Sequence, residues 1–125
     1  MIARQRPKYL DLLRIRLPLP GLVSIFHRIS GAALFVFAWA LLYLLQESLR
    51  SPESHAHFQA LIGHWPVKLF LIGILWSFLH HFFAGLRHLL LDVQIAGDLG
   101  PARATSAAVL AIGLAFTAIV GVMLW

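Results

Sequence analysis

The sequence predicts an all-α membrane protein with three transmembrane helices and a short amphipathic segment at the N-terminus. The chain has 125 residues, of which 60% are hydrophobic and only 12% are charged, and its mean hydropathy is +0.82. Soluble domains carry about twice this fraction of charged residues. Three stretches without charge, residues 29–46, 69–86 and 104–125, each reach the roughly 18 residues with which a helix crosses the hydrocarbon core.

The N-terminal segment, residues 1–20, carries much of the positive charge of a chain whose net charge is +5. Basic residues before a first apolar span keep that end in the cytoplasm, so three crossings place the C-terminus on the opposite side. Leucines alternate here with Asp11 and Arg14, which is typical of a segment lying on a membrane surface, and Pro18 and Pro20 end it. Nucleic acid is a poor explanation for the charge of so lipophilic a chain, and a lipid bilayer is the expected surrounding.

The chain is predicted to form a single domain, residues 1–125, with three crossings at residues 21–46, 66–91 and 105–125. Residues 47–64 are predicted to form an outer loop, in which the histidines are solvated because neither cysteine nor carboxylate stands at metal-ligand spacing. The last crossing has a face of small residues, Gly113, Thr117 and Gly121, which favours close packing against another helix.

The second predicted crossing contains a polar stretch in otherwise apolar surroundings. At about 100° per residue, one side of this helix carries two histidines among small residues: Gly73, Ser77, His81, Gly85 and His88. This pattern predicts a slot in which a flat ligand lies against the glycines and meets a nitrogen of His81. Ionisable side chains inside membrane helices are functional candidates, although a buried histidine that only hydrogen-bonds a neighbouring helix fits the same pattern.

The first predicted crossing begins with a second polar group, in which Ser24, Arg28 and Gly31 share one face. An arginine at this position can be a simple interfacial anchor, but the serine one turn away favours a polar pocket. The first helix leaves the cytoplasmic surface and the second returns to it. We therefore expect these side chains to lie at the same depth as His81 and His88.

A haem is one group that such a pocket could hold. The chain has no cysteine, and its two methionines lie far from His81 along the sequence, so histidine is the expected axial ligand. Arg28, Arg87 and His88 are placed to pair with haem propionates. A second axial imidazole is expected from another subunit, because His27 lies too near the surface.

Two motifs resemble the signatures of the cytochrome b subunit of succinate dehydrogenase. The stretch from Ser24 to Gly31 resembles S-x-x-H-R-x-S-G, and the stretch from His81 to Asp92 resembles H-x-x-x-G-x-R-H-x-x-x-D. Residues 6–12 are similar to the proteobacterial form of the family. The resemblance covers nearly the whole chain, and it is specific because two motifs occur in the expected order.

The resemblance implies a multi-pass anchor in a bacterial inner membrane, with a cytoplasmic N-terminus and a periplasmic C-terminus. A second membrane anchor subunit would complete the helical bundle, and an iron–sulfur subunit and a flavoprotein subunit would dock at the cytoplasmic face. His81 would be one axial ligand of a haem b that the second anchor shares. The propionate side is assigned to basic residues of both helices: His88, Arg28, Arg87 and His27. Ser24 and Arg28 would line the site at which electrons from succinate reduce ubiquinone to ubiquinol.

His80 stands directly before the proposed ligand and departs from the pattern of the family. The two imidazoles point about 100° apart, so only one faces the slot, and the spacing to Gly85 and His88 favours His81. Two other functions stay open: an anchor of a fumarate reductase that uses menaquinol, and a haem-free structural anchor. An ion channel is disfavoured because the outer halves of the helices supply no polar stripe.

Overall fold

The computed structural model describes residues 16–95 and 97–125. Over this range the chain forms four helices: α1 (Leu19–Arg50), α2 (Pro52–Gly63), α3 (Trp65–Asp92) and α4 (Leu99–Leu124). Of the helices in this part of the chain, α1, α3 and α4 are long and apolar enough to cross a membrane, which confirms the predicted fold class. The first 15 residues of the predicted amphipathic segment lie outside the described residues.

Residues 47–64, which the sequence predicts as a loop, are largely helical. α1 continues to Arg50, and α2 begins after the single residue Ser51. Ser51 and Ser54 form a capping box: the Ser54 backbone N–H donates to Ser51 Oγ at 3.1 Å, and the Ser51 N–H donates to Ser54 Oγ at 3.0 Å. Pro52 occupies the first turn, where its missing N–H costs no hydrogen bond.

Two histidines of this outer segment hold α2 against the end of α1. Nδ1 of His55 donates to the Ser48 carbonyl oxygen at 3.0 Å, and Nδ1 of His57 lies 3.1 Å from a carboxylate oxygen of Glu47. These contacts join residues that the sequence assigned to a solvated loop. The loop is therefore a short helix folded back onto the first crossing.

The buried residues of the described helices are a mixture of aliphatic and polar side chains, and many of the large apolar side chains are exposed. α3 contacts both α1 and α4, and α1 and α4 also contact each other. Phe35 and Trp39 of α1 are 79% and 77% exposed, as expected of a surface that faces lipid. Gly113 and Thr117 of α4 are buried, and a Cβ added at Gly113 would lie 3.9 Å from the backbone of His80. The small face predicted for the last crossing thus packs against α3.

Candidate functional site

The candidate site lies where the first half of α1 meets the second half of α3. The imidazoles of His27, His81 and His88 come together there. The rings of His27 and His81 are stacked, with centroids 4.1 Å apart and planes 8° from parallel. The His88 ring is tilted by 57° against that of His27, with a centroid separation of 5.0 Å. The structure therefore brings the two sequence motifs into direct contact.

A hydrogen bond to the α1 backbone orients the His81 ring. Its Nδ1 lies 3.0 Å from the carbonyl oxygen of His27. Because a carbonyl oxygen only accepts hydrogen bonds, we assign the hydrogen to Nδ1, which leaves the lone pair of the neutral imidazole on Nε2. The Ser30 hydroxyl donates to the same carbonyl at 2.9 Å, and its oxygen lies 3.4 Å from Nδ1.

Each of the two stacked histidines lies against a glycine of the opposite helix. A Cβ added at Gly31 would lie 2.7 Å from Cε1 of His81, and one added at Gly85 would lie 3.5 Å from Nε2 of His27. The slot predicted along the glycines of α3 therefore receives, at Gly85, the imidazole of His27. At Gly73, such a Cβ would meet no neighbouring side chain or helix within 4 Å.

Ser24 and Arg28 lie one turn apart on the side of α1 that adjoins the histidines. Arg28 is exposed, and Ser24 is half-buried. Arg28 directly follows His27, so the turn that carries its guanidinium also supplies the carbonyl that binds His81. Of the two predicted quinone-binding residues, Arg28 is thus open to a partner, and Ser24 is partly covered by the chain itself.

Arg87 lies away from the histidines. It is only 4% exposed, and it reaches α4, where Nε donates to Thr105 Oγ1 at 3.1 Å and Nη2 donates to the Ala102 carbonyl oxygen at 3.3 Å. The sequence placed Arg87 with His88 on the propionate side. The structure turns it toward α4 because six residues rotate it about 120° from His81 around the helix.

His80 is fully buried among the helices. Its Nε2 lies 3.4 Å from the carbonyl oxygen of Val23, and its ring packs on Trp76 and Phe26 with centroid separations of 5.2 and 6.0 Å. Its other ring nitrogen, Nδ1, is buried without a hydrogen-bond partner among the described residues. His80 and His81 therefore occupy different environments, as their angular separation predicts.

Ser30 and the His27 backbone belong to the site, and sequence reasoning assigned no role to either. Ser30 is 1% exposed, and its hydroxyl lies between the α1 backbone and His81. The available signal was its spacing of three residues from His27, which places a hydroxyl beside that carbonyl on the same helical face. The role of a backbone carbonyl has no signature in sequence.

The chain is similar to known membrane proteins over nearly its whole length. The sequence model of the family described as "Succinate dehydrogenase/Fumarate reductase transmembrane subunit" matches residues 2–120. A succinate dehydrogenase cytochrome b556 subunit of Coxiella burnetii is 34% identical over 123 residues, which cover 97% of this chain and 98% of that protein. A protein of the same name from Paracoccus denitrificans is 32% identical over 106 residues, which cover 85% of this chain and 82% of that protein. The chain therefore belongs to the family of transmembrane subunits of succinate dehydrogenase and fumarate reductase.

Proposed function

We propose that this chain is a haem b-binding anchor of succinate:ubiquinone oxidoreductase and that it forms part of the site at which ubiquinone is reduced. The observation that carries this proposal is the hydrogen bond from Nδ1 of His81 to the His27 carbonyl oxygen. It leaves Nε2 as the available ligand atom, and metal-binding histidines commonly donate their other ring N–H to a backbone carbonyl in this way. The relatives' name, cytochrome b556 subunit, supports a bound haem.

The residues around His81 suit the remaining parts of a haem. His81 would hold the iron through Nε2, and the second anchor subunit would supply the other axial imidazole. His27 and His88 lie beside His81, and Arg28 adjoins them, so the basic groups that carboxylate propionates require are close to the ligand. When bound, the haem supplies reversible one-electron chemistry.

Ser24 and Arg28 are the proposed quinone-binding residues of this chain. The Ser24 hydroxyl is suited to donate a hydrogen bond to a quinone carbonyl oxygen. The Arg28 guanidinium is suited to stabilise the negative charge that develops on the quinone during reduction. Ser24 is half-buried and Arg28 is exposed, which fits a pocket that the second anchor and the iron–sulfur subunit complete.

The proposed setting is the inner membrane of a bacterium, with the basic N-terminus in the cytoplasm and the C-terminus in the periplasm. The iron–sulfur and flavoprotein subunits would dock on the cytoplasmic face. The family description also covers fumarate reductase. Identification of the quinone that co-purifies with the complex separates the two: ubiquinone supports the proposed direction, and menaquinone contradicts it.

A reduced-minus-oxidised absorption spectrum of the purified complex tests the haem proposal. We expect a b-type band, with one haem for each flavin. A featureless spectrum from a complex that contains all its subunits would contradict the proposal and favour a haem-free anchor.

Replacement of Arg28 by leucine tests the quinone site. We expect succinate:ubiquinone reductase activity to fall by roughly 10²-fold, because a positioned cation no longer stabilises the developing charge. Succinate oxidation with a soluble dye acceptor should be retained. Arg103→Leu, at an exposed arginine of α4, is the matched control and should keep full activity. If Arg28→Leu reduced ubiquinone at the wild-type rate, the assignment of Arg28 to the quinone site would be wrong.

A further inference from the structure

We propose that Ser30 and Gly31 are positioning residues for the axial ligand. Gly31 provides the clearance that lets the His81 ring lie against α1, and Ser30 sets how strongly the His27 carbonyl holds Nδ1–H of that ring. This inference rests on the proposed role of His81 as haem ligand. It adds two residues of the first motif to those that act on the haem. Neither residue would contact the iron or the propionates directly.

The clearance at Gly31 follows from the distances around the His81 ring. A Cβ on Gly31 would lie 2.7 Å from Cε1 and 3.1 Å from Nδ1 of His81. Such contacts are well inside van der Waals separation, so the ring or α1 would have to move. The ring has little freedom, because Nδ1 is bound to the backbone of α1 at 3.0 Å and its face is stacked on His27. Any displacement would therefore tilt Nε2, the atom proposed to bind iron.

Ser30 acts on His81 through the carbonyl that the two side chains share. The hydroxyl donates to the His27 carbonyl at 2.9 Å, whereas its oxygen lies 3.4 Å from Nδ1, which is long for a hydrogen bond. A carbonyl that accepts from two donors holds each less strongly than one that accepts from a single donor. Ser30 is 1% exposed, so after its removal bulk water has little access to the vacated position.

The consequence for the haem has a definite sign. Loss of the Ser30 hydroxyl leaves the carbonyl free to bind Nδ1–H more tightly, which makes the imidazole a stronger electron donor at Nε2. A stronger donor stabilises oxidised iron relative to reduced iron. The midpoint potential of the haem should therefore fall when Ser30 is replaced by alanine.

The clearance is tested in the purified complex with Gly31→Ala against Gly100→Ala. Both changes add one methyl group to a long helix, but at Gly100, in the first turn of α4, the new Cβ would meet no neighbouring side chain or helix within 4 Å. We expect the haem-to-flavin ratio to fall several-fold in Gly31→Ala and to stay at the wild-type value in Gly100→Ala. A Gly31→Ala complex with full haem and an unshifted spectrum would overturn the proposed clearance.

The role of the hydroxyl is tested by redox titration of Ser30→Ala against Ser106→Ala. Ser106 of α4 is also buried, and its hydroxyl likewise donates within its own helix, to the Ala102 carbonyl oxygen at 2.7 Å. We expect full haem content in both variants and a lower midpoint potential in Ser30→Ala alone. Equal midpoint potentials in Ser30→Ala and wild type would overturn the proposed role of Ser30. If the Gly31→Ala complex does not assemble, this measurement still tests whether the first motif positions His81.

His81→Ala separates a failure of this inference from a failure of the proposed function. If His81→Ala loses the haem while Ser30→Ala and Gly31→Ala match wild type, His81 remains the ligand and the positioning role is wrong. If His81→Ala keeps the wild-type spectrum, the proposed ligand itself is wrong, and the inference fails with it.

Discussion

Replacement of His81 by alanine is expected to remove the b-type absorption from the purified complex. The imidazole would be lost, and the methyl group that remains offers iron no ligand. Hydrogen bonding fixes Nε2 of His81 as the free ring nitrogen, so the effect should be a loss of haem rather than a small change in its potential. The measurement is the haem-to-flavin ratio together with the reduced-minus-oxidised spectrum.

His80→Ala is the matched control, since it removes the adjacent imidazole of the same helix. His80 is 0% exposed and packs on Trp76 and Phe26. Its loss should lower thermal stability through the cavity that it leaves, while the absorption band stays in place. A band that survives His81→Ala and disappears in His80→Ala would reverse the assignment of the ligand.

Arg87→Ala is expected to destabilise the complex by on the order of 3 kcal/mol and to leave the haem spectrum unchanged. The guanidinium makes two hydrogen bonds to α4 from a position that is 4% exposed. Truncation removes both bonds and leaves a cavity between α3 and α4. The effect should appear as a lower midpoint of thermal unfolding, measured at a fixed scan rate in one detergent.

Arg103→Ala serves as the control for Arg87, because Arg103 is an exposed arginine of α4. Its replacement should leave both the unfolding midpoint and the spectrum at the wild-type values. The opposite pattern in Arg87→Ala, with loss of haem at unchanged stability, would return Arg87 to the propionate side on which the sequence placed it.

The crossings could be predicted from sequence because their signal is local. An uncharged apolar run of sufficient length identifies a membrane helix without any knowledge of its neighbours. α2 was missed because Glu47, Arg50 and the Ser51–Pro52 pair suggest a loop when they are considered one at a time. In the structure, Ser51 and Pro52 begin a helix, since the serine caps it and proline fits its first turn.

The meeting of the two motifs could also be predicted, because antiparallel crossings bring their ends at one surface to a common depth. Helical angles give the relative directions of side chains, but they do not state which neighbour each face will contact. The guanidinium of Arg87 therefore forms its hydrogen bonds with α4, which the sequence did not predict. For the same reason, the space expected for a ligand at Gly85 is taken by the ring of His27.

The hydrogen bond at the centre of the site could not be predicted, because its acceptor is a backbone carbonyl that every residue possesses. Only the approach of α1 to α3 selects the carbonyl of His27, and that approach depends on Gly31. The tautomer of His81 follows from this contact. The proposed ligand residue was thus accessible from the motif, whereas the ring nitrogen proposed to bind iron could be assigned only from the packed helices.

The link between His81 and the His27 carbonyl joins residues 54 positions apart, and this separation has a consequence for insertion into the membrane. α1 emerges from the ribosome well before α3, so for a time it meets lipid without its partner. The Ser30 hydroxyl is not left without a partner in lipid during that time, because it already donates a hydrogen bond within its own helix. The Ser30 hydroxyl therefore has its hydrogen bond before α3 is present, and the contact between His81 and the His27 carbonyl forms only after α3 has entered the membrane.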